Sequence, residues 1–540
     1  MAALPRGLEE RTVETTVYAG RRVWTLDPRR PRAEALAVRG GRVLAVGSLY
    51  EVKAVAGPGA RTVELAGATL VPGLTDAHAH LHGLGRRLSV VDLQGAQSAQ
   101  EAVARLAHAP ASARQGDWLL GRGWNQTQWP GGAFPDRREL DARFAGTPVF
   151  LTRIDHHAAW VNGEALRRAG ISRTTPDPEG GRILRGPDGE ATGVLVDNAV
   201  DLVEAVMPPP TEAQLEERLT RALQRCAAVG LTNVHDAGMD LAAFRALQGR
   251  DATGQLPLRV YAMAAGQGRE RYAYLDLGPQ VGRMLSLRAV KFLLDGALGS
   301  RGAALHEGYS DAPDERGLLL LSPEELEARV RAFMRRGFQV AVHAIGDRAN
   351  TLVVDTLVRL SEETGTRKLR HRVEHAQILR PEDLRRLGAA GLVASVQPTH
   401  ATSDMPWAEQ RLGAERLRGA YAWRSLKEAG ATLALGSDFP IENPDVLAGL
   451  YAAITRQDAR GWPEGGWYPE QRLSPLEALE GFTVGAAWAE HAETRRGRLV
   501  PGMEADFVAL SEDPVEGPAA ALVQARVLAT VVAGAEVFRA

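Results

Sequence analysis

Short apolar runs separated by Gly, Pro or basic turns open the chain. Thr16-Val-Tyr-Ala-Gly, Arg22-Val-Trp-Thr-Leu, Ala33-Glu-Ala-Leu-Ala-Val and Arg42-Val-Leu-Ala-Val each have the length and composition of a β-strand. They predict antiparallel hairpins over residues 1–70, with Gly40-Gly41 as one turn. Residues 493–540 repeat the pattern in Gly497-Arg-Leu, Ala505-Asp-Phe-Val-Ala-Leu and Val527-Leu-Ala-Thr-Val-Val-Ala-Gly-Ala-Glu-Val. Neither end alone supplies enough strands for a stable sheet, so the two ends are expected to pair into one small β domain.

Between them, over residues 71–492, the rhythm changes to strand, turn, helix. Leu231-Thr-Asn-Val-His, Ala289-Val-Lys-Phe-Leu-Leu, Gln339-Val-Ala-Val-His, Arg372-Val-Glu-His, Val393-Ala-Ser-Val and Thr432-Leu-Ala-Leu-Gly read as buried strands. Helical patterns fill many of the gaps. Pro323-Glu-Glu-Leu-Glu-Ala-Arg-Val-Arg-Ala-Phe-Met-Arg-Arg starts with Pro and acids and ends with paired arginines, which is favourable chemistry at both helix ends. Strands alternating with helices predict a parallel sheet, and about eight such units predict an α/β barrel. The stretch at about 117–210 is rich in loop residues, such as Pro176-Asp-Pro-Glu-Gly-Gly, and reads as an insertion over the barrel mouth.

Composition narrows the class. Of 540 residues 45% are hydrophobic and 24% charged, which excludes a disordered or fibrous chain. The 64 basic and 66 acidic residues leave a net charge of −2, so no strong field exists to draw nucleic acid or an anionic membrane. No run of 18 uncharged apolar residues occurs and no secretory signal opens the chain, so a cytoplasmic protein is expected. One cysteine, Cys226, excludes an internal disulfide and a thiolate metal site, and its helical context makes it a buried apolar residue.

The strongest local chemistry lies in Val71-Pro-Gly-Leu-Thr-Asp-Ala-His-Ala-His-Leu-His. Residues i and i+2 of a strand share a face, so His78 and His80 can grip one ion. Thirteen histidines in this length give roughly 0.3 such pairs by chance, so the spacing alone decides little. The other ends of strands decide more. His343 ends Gln339-Val-Ala-Val, His375 ends Arg372-Val-Glu, and Asp438 follows Leu433-Ala-Leu-Gly-Ser. In a barrel these carboxyl ends converge, which makes a divalent metal site of His78, His80, His343, His375 and Asp438. Lys291 lies on an intervening strand. A buried lysine loses its charge, and the neutral amine can take up carbon dioxide to become a bridging carboxylate; a salt bridge to a barrel carboxylate is the other reading.

With these stretches in hand the chain resembles the amidohydrolase superfamily and, within it, amidohydrolase family 3, the YtcJ-like metal-dependent hydrolases that include N-substituted formamide deformylase. The resemblance rests on Pro72-Gly-Leu-Thr-Asp-Ala-His-Ala-His, Gly121-Arg-Gly-Trp-Asn, Arg153-Ile-Asp-His-His-Ala-Ala-Trp-Val-Asn, Thr192-Gly-Val-Leu and Val290-Lys-Phe-Leu-Leu-Asp-Gly-Ala-Leu-Gly-Ser-Arg. It continues through Val342-His-Ala-Ile-Gly-Asp-Arg-Ala, Arg372-Val-Glu-His-Ala-Gln, Ser395-Val-Gln-Pro, Gly436-Ser-Asp-Phe-Pro and Pro501-Gly-Met-Glu-Ala-Asp-Phe-Val. It implies a (β/α)8 TIM-like barrel with a small β-sandwich built from both termini. It also implies one or two divalent metals, zinc first among them, held by His78, His80, His343 and His375, with Lys291 as the bridging carboxylate and Asp438 as metal neighbour and proton shuttle. Family members usually carry Gly where His156 stands, and His157 holds the family position as a catalytic group beside the substrate carbonyl.

The implied reaction is hydrolysis of a C–N bond, an amide or N-substituted formamide, in a small-molecule substrate. Ester hydrolysis and deamination of an amino-heterocycle use the same metal and Asp438, and a metal-free relative that only binds a ligand is the reading from another class. Trp124, Asp155, Trp160, Arg301 and Gln397 are the candidate substrate contacts, His235 and Asp236 candidate supports, and Gln397 and His400 fall where they can line the pocket. His108, His306, His371 and His491 have no companions and are expected to face solvent. A homodimer is the default assembly.

Overall fold

The computed structural model describes residues 14–154, 157–178 and 180–540. The chain divides into two compact units, one of residues 1–81 with 223–540 and one of 82–222.

The first unit contains the barrel. Its eight parallel strands follow the chain in order: β1 (Leu74–Ala79), β2 (Leu231–Met239), β3 (Arg259–Ala265), β4 (Leu285–Leu293), β5 (Gln339–Ala344), β6 (Arg372–His375), β7 (Val393–Val396) and β8 (Thr432–Leu435). The strands are buried on both faces, as continuous apolar runs demand in an all-parallel sheet. The ring closes just past the end of β8, where Asp438 N–H donates to His78 O at 2.7 Å and His80 N–H donates to Phe439 O at 2.8 Å. The outer helices obey the end chemistry read from sequence. Pro323–Arg335 starts at a Ser322 capping box with Glu325 and turns Leu326, Val330, Phe333 and Met334 inward. Cys226 is free and buried, as its apolar context requires.

The two ends of the chain do meet. Seven strands form one sheet in the order Ala535–Arg539, Val527–Val532, Phe507–Leu510, Arg61–Pro72, Thr15–Trp24, Arg32–Arg39 and Arg42–Gly47. The hairpin turn at Gly40-Gly41 has both residues at positive φ, which suits glycine. Arg61–Pro72 is the seam, parallel to Thr15–Trp24 on one side and antiparallel to Phe507–Leu510 on the other. One face of this sheet carries Tyr18, Leu36, Leu70, Phe507 and Val531; the other is covered by helix Leu49–Ala56. The sheet belongs to the barrel's own compact unit rather than to a separate one.

The second unit is larger and more ordered than a loop-rich insertion at 117–210. It carries a seven-stranded sheet whose main path runs Gly181–Arg185, Ala191–Asp197, Ala158–Val161, Val149–Arg153, Trp118–Trp124 and Val91–Asp92. Its strands bury side chains on both faces, one around Leu93, Trp124, Leu151 and Trp160, the other around Trp118, Phe150, Leu166 and Leu195. The loop-like Gly and Pro content sits in its turns, and the alternating apolar positions between them build the sheet.

Candidate metal centre

The carboxyl ends of the barrel strands bring the six predicted ligands together. His78 is fully buried on β1, and His80 follows that strand with its side chain 36% exposed. Lys291 comes from β4, His343 from β5, His375 from the end of β6, and Asp438 from the turn after β8. His78, His375 and Asp438 each offer a ligand atom, and these atoms lie within 4.8 Å of one another. His80 Nε2 is 3.1 Å from Asp438 Oδ1, and His78 Nε2 is 3.6 Å from the same oxygen. Lys291 Nζ stands 3.3 Å from His78 Nε2. The His343 ring closes the group edge-on to His375, with centroids 4.5 Å apart.

Burial sets the charges. It pushes His78 down to about 4 and His343 to about 3, with Lys291 adding to both, and carries His375 well below the usual imidazole range. Neutral rings with free lone pairs are what a cation needs. Burial lowers Lys291 as well. It opposes ionisation of Asp438, whose carboxyl is lowered by positive charge at His78, His80 and His375, a charge that a cation among these neutral rings would supply.

The donor set fits a divalent ion. His343 Nε2 is buried with no hydrogen-bond partner, an arrangement that costs about 1–3 kcal/mol unless something completes it. Imidazole nitrogens with a carboxylate and no thiolate suit a borderline ion of the first transition row.

A layer of groups that the sequence reading did not single out fixes the ligands. His78 Nδ1 meets Glu374 Oε2 at 2.5 Å, which leaves Nε2 to face the centre. Glu374 is held by the wholly buried Arg372, whose guanidinium donates to Glu374, to Ala77 O at 2.7 Å and to Ser395 Oγ at 3.0 Å. Burial would raise Glu374, yet Arg372 and His78 keep it well below the usual carboxylate range. Asp295 accepts from the backbone N–H groups of Ala304, Ile345 and Gly346, and its Oδ1 is 3.4 Å from His343 Nε2. Asp76 accepts from His78 N and from Ser437 N and Oγ, tying the first strand to the turn that carries Asp438. His375 and Asp438 themselves sit at φ 70° and 62°, a region that side chains other than glycine enter at a cost and that concentrates at functional sites. The signal for Glu374 was present: Arg and Glu two apart in a four-residue buried strand must pair with each other or with something else.

The other candidates scatter. Gln397 is buried with its Oε1 2.8 Å from His375 Nδ1, so it orients that ring. His235 Nδ1 is 3.0 Å from Arg372 and supports the barrel floor, and Asp236 accepts from Leu81 N. Arg301 is paired with Asp311 at 3.0 Å. In the second unit, Trp124 and Trp160 are wholly enclosed among Trp129 and neighbouring apolar residues. Both were expected to touch substrate; their surface is spent on packing instead. His157 is exposed with Nδ1 2.8 Å from Asp197 Oδ1. Asp155 and His156 lie outside the described residues. His371, expected at the surface, is buried, with Nδ1 accepting from Val340 N at 3.0 Å and Nε2 3.1 Å from Thr366 Oγ1.

Comparison with known proteins agrees with this geometry. The profile of the Amidohydrolase family matches residues 61–538. Protein LONG AFTER FAR-RED 3 of Arabidopsis thaliana is 36% identical over 96% of this chain and 90% of its own. The putative amidohydrolase YtcJ of Bacillus subtilis (strain 168) is 34% identical over 97% and 99%, and the N-substituted formamide deformylase of Arthrobacter pascens 27% identical over 95% and 96%. Among solved structures, an uncharacterised metal-dependent hydrolase from Pyrococcus horikoshii OT3 superposes with a TM-score of 0.79 at 29% identity, covering 94% of this chain and 99% of that one.

Proposed function

The chain belongs to the amidohydrolase family, and from that premise we propose that it is a metal-dependent hydrolase of a C–N bond, with an amide or an N-substituted formamide as substrate. The observation that carries the reading is the buried triad of His78, His375 and Asp438, whose ligand atoms lie within 4.8 Å of one another.

In this reading His78, His80, His343, His375 and Asp438 hold one or two zinc-type ions, and Lys291 joins a two-ion centre as its carbamate. Such an ion, when bound, lowers the pKa of its water from 15.7 to about 7. Asp438 takes the proton of the attacking water and returns it to the departing nitrogen. It is ionised at neutral pH for the reasons given above, and its backbone at positive φ turns the carboxylate into the centre. Glu374 and Gln397 hold His78 and His375 so that their free nitrogens meet at one point. His157, exposed in the second unit, is paired there with Asp197. The site lies inside a cell in this reading, and the similarity to an N-substituted formamide deformylase favours small N-formyl amines.

The test is a panel of N-formyl and N-acyl amines, carboxylic esters and amino-heterocycles, offered to protein purified without chelator and assayed for metal per chain. Turnover of the N-formyl or N-acyl amines is expected, with about one or two metals per chain. Turnover confined to esters or amino-heterocycles would reassign the bond cleaved, and no metal uptake on adding zinc would overturn the hydrolase reading.

A further inference from the structure

The helix Pro398–Asp404 follows β7 and is pinned at both ends. Before its start, Gln397 engages His375. At its far end, Tyr421 OH donates to Asp404 Oδ2 at 2.5 Å and accepts from Gln377 Nε2 at 2.7 Å. Gln377 lies two residues beyond His375, so the helix is tied twice to the turn that carries a metal-ligand candidate. His400, midway along it, is held in place by these ties. Its ring lies nearly parallel to that of His375, 11° apart with centroids at 5.9 Å, and its side chain is 14% exposed.

His400 Nε2 is buried without a hydrogen-bond partner. His371 differs: that imidazole, more fully buried than His400, has both ring nitrogens engaged. A buried ring nitrogen left open costs free energy unless something completes it. The open nitrogen faces Asp438 Oδ2 at 3.7 Å. That separation is too long for a hydrogen bond, so the ring nitrogen is left open to an acceptor other than Asp438, such as a carbonyl oxygen lying beside the carboxylate.

We propose that His400 is a further catalytic residue, whose Nε2–H donates a hydrogen bond to the carbonyl oxygen of the substrate. The proposal rests on the hydrolase reading. Water adds to the carbonyl carbon, Asp438 receives its proton, and the carbonyl π pair moves onto the oxygen facing His400. The proton on His400 stays where it is. The oxygen's pair then re-forms the double bond, the C–N pair leaves with nitrogen, and Asp438 gives nitrogen its proton, so an N-formyl amine and water yield amine and formic acid. A donor already aimed at that oxygen acts most strongly when the charge is there, because no reorganisation is needed.

The experiment uses the full chain, zinc-loaded, as wild type, His400→Leu and His400→Gln, with metal per chain and circular dichroism recorded for each. On an N-formyl amine that the wild type hydrolyses, His400→Leu is expected to lower kcat by about 10²–10³-fold, with a smaller change in KM and unchanged metal. His400→Gln places an amide N–H near the position of Nε2 and is expected to recover about tenfold of that loss. Methylphosphonate, a tetrahedral oxyanion that cannot be hydrolysed, should bind the wild type more tightly than His400→Leu by calorimetry. A His400→Leu enzyme within about threefold of wild type in kcat and in methylphosphonate affinity overturns the proposal and leaves the hydrolase reading intact. Loss of kcat that follows loss of metal overturns it as well. If no substrate of the panel turns over but methylphosphonate still depends on His400, the hydrolase reading falls and the oxyanion contact stands. No binding of methylphosphonate to either protein, with no turnover, removes both.

Discussion

At the scale of single residues, the centre depends on charge balance among groups that are mostly buried. Asp438 is the group whose proton traffic the proposed reaction requires, so Asp438→Asn is expected to cost about 10²–10⁴-fold in turnover while the protein still folds and takes up zinc. Activity near wild type, with metal content confirmed, would remove it from the proton path. Glu374 works at one remove. Changing it to Gln leaves the Arg372 guanidinium buried without its counter-charge, a loss of about 3–5 kcal/mol, and frees His78 to rotate. Zinc affinity measured against a competing chelator should weaken by about 10–100-fold; an unchanged affinity would show that His78 needs no such anchor. The ligand candidates were legible in the sequence because most of them stand at or just past the end of an apolar run. Glu374 showed only as a same-strand pair with Arg372; its contact with His78, and those of Asp295 and Asp76 with other segments, appear only in the closed ring.

Among the elements, the apolar runs announced most of the barrel, and one strand escaped. Arg259–Ala265 reads Arg-Val-Tyr-Ala-Met-Ala-Ala, and its alanines and methionine suit a helix as well as a strand, so only its place between β2 and β4 settles it. The second unit escaped for a different reason. Its strands are short and broken by Gly and Pro turns, and the sheet becomes visible only through pairing between segments far apart in the chain. The turn after β8 shows how little room the closing of the ring leaves. A Cβ on Gly436 would lie 2.6 Å from Asp76 Oδ1 and 2.6 Å from His78 N, and Asp76 is held by Ser437 from the same turn. Gly436→Ala is therefore expected to cost about 1–3 kcal/mol in urea unfolding and to loosen zinc binding in step. Native stability with native affinity would mean that the two strands can part without moving His78.

Over the whole molecule, the terminal sheet and the centre are joined through one continuous stretch. Arg61–Pro72, the seam of that sheet, passes through Gly73 directly into β1 and His78. The hairpins at each end were readable from strand length and turn residues; their merging into the barrel's own unit was not, since it depends on contacts between opposite ends of the chain. Residues 507–539 supply three of the seven strands, and Phe507–Leu510 pairs with the end of the seam, Thr69–Pro72. A chain ending at residue 500 is expected to lose cooperative unfolding and to bind zinc far more weakly than the full chain, even though every ligand is still present. A truncated chain with full affinity and a single sharp transition would show that the barrel stands alone.

The distance along the chain between His78 and Asp438 gives the centre a timetable. At about 5–20 residues per second, a ribosome needs on the order of 20–70 s to travel from one to the other, and the strand that flanks the seam emerges later still. During that interval the first histidines are made but have no pocket, and they compete for any free ion as an open peptide would. An ion held by both ends of the centre can therefore be bound only after synthesis, when the last strands dock.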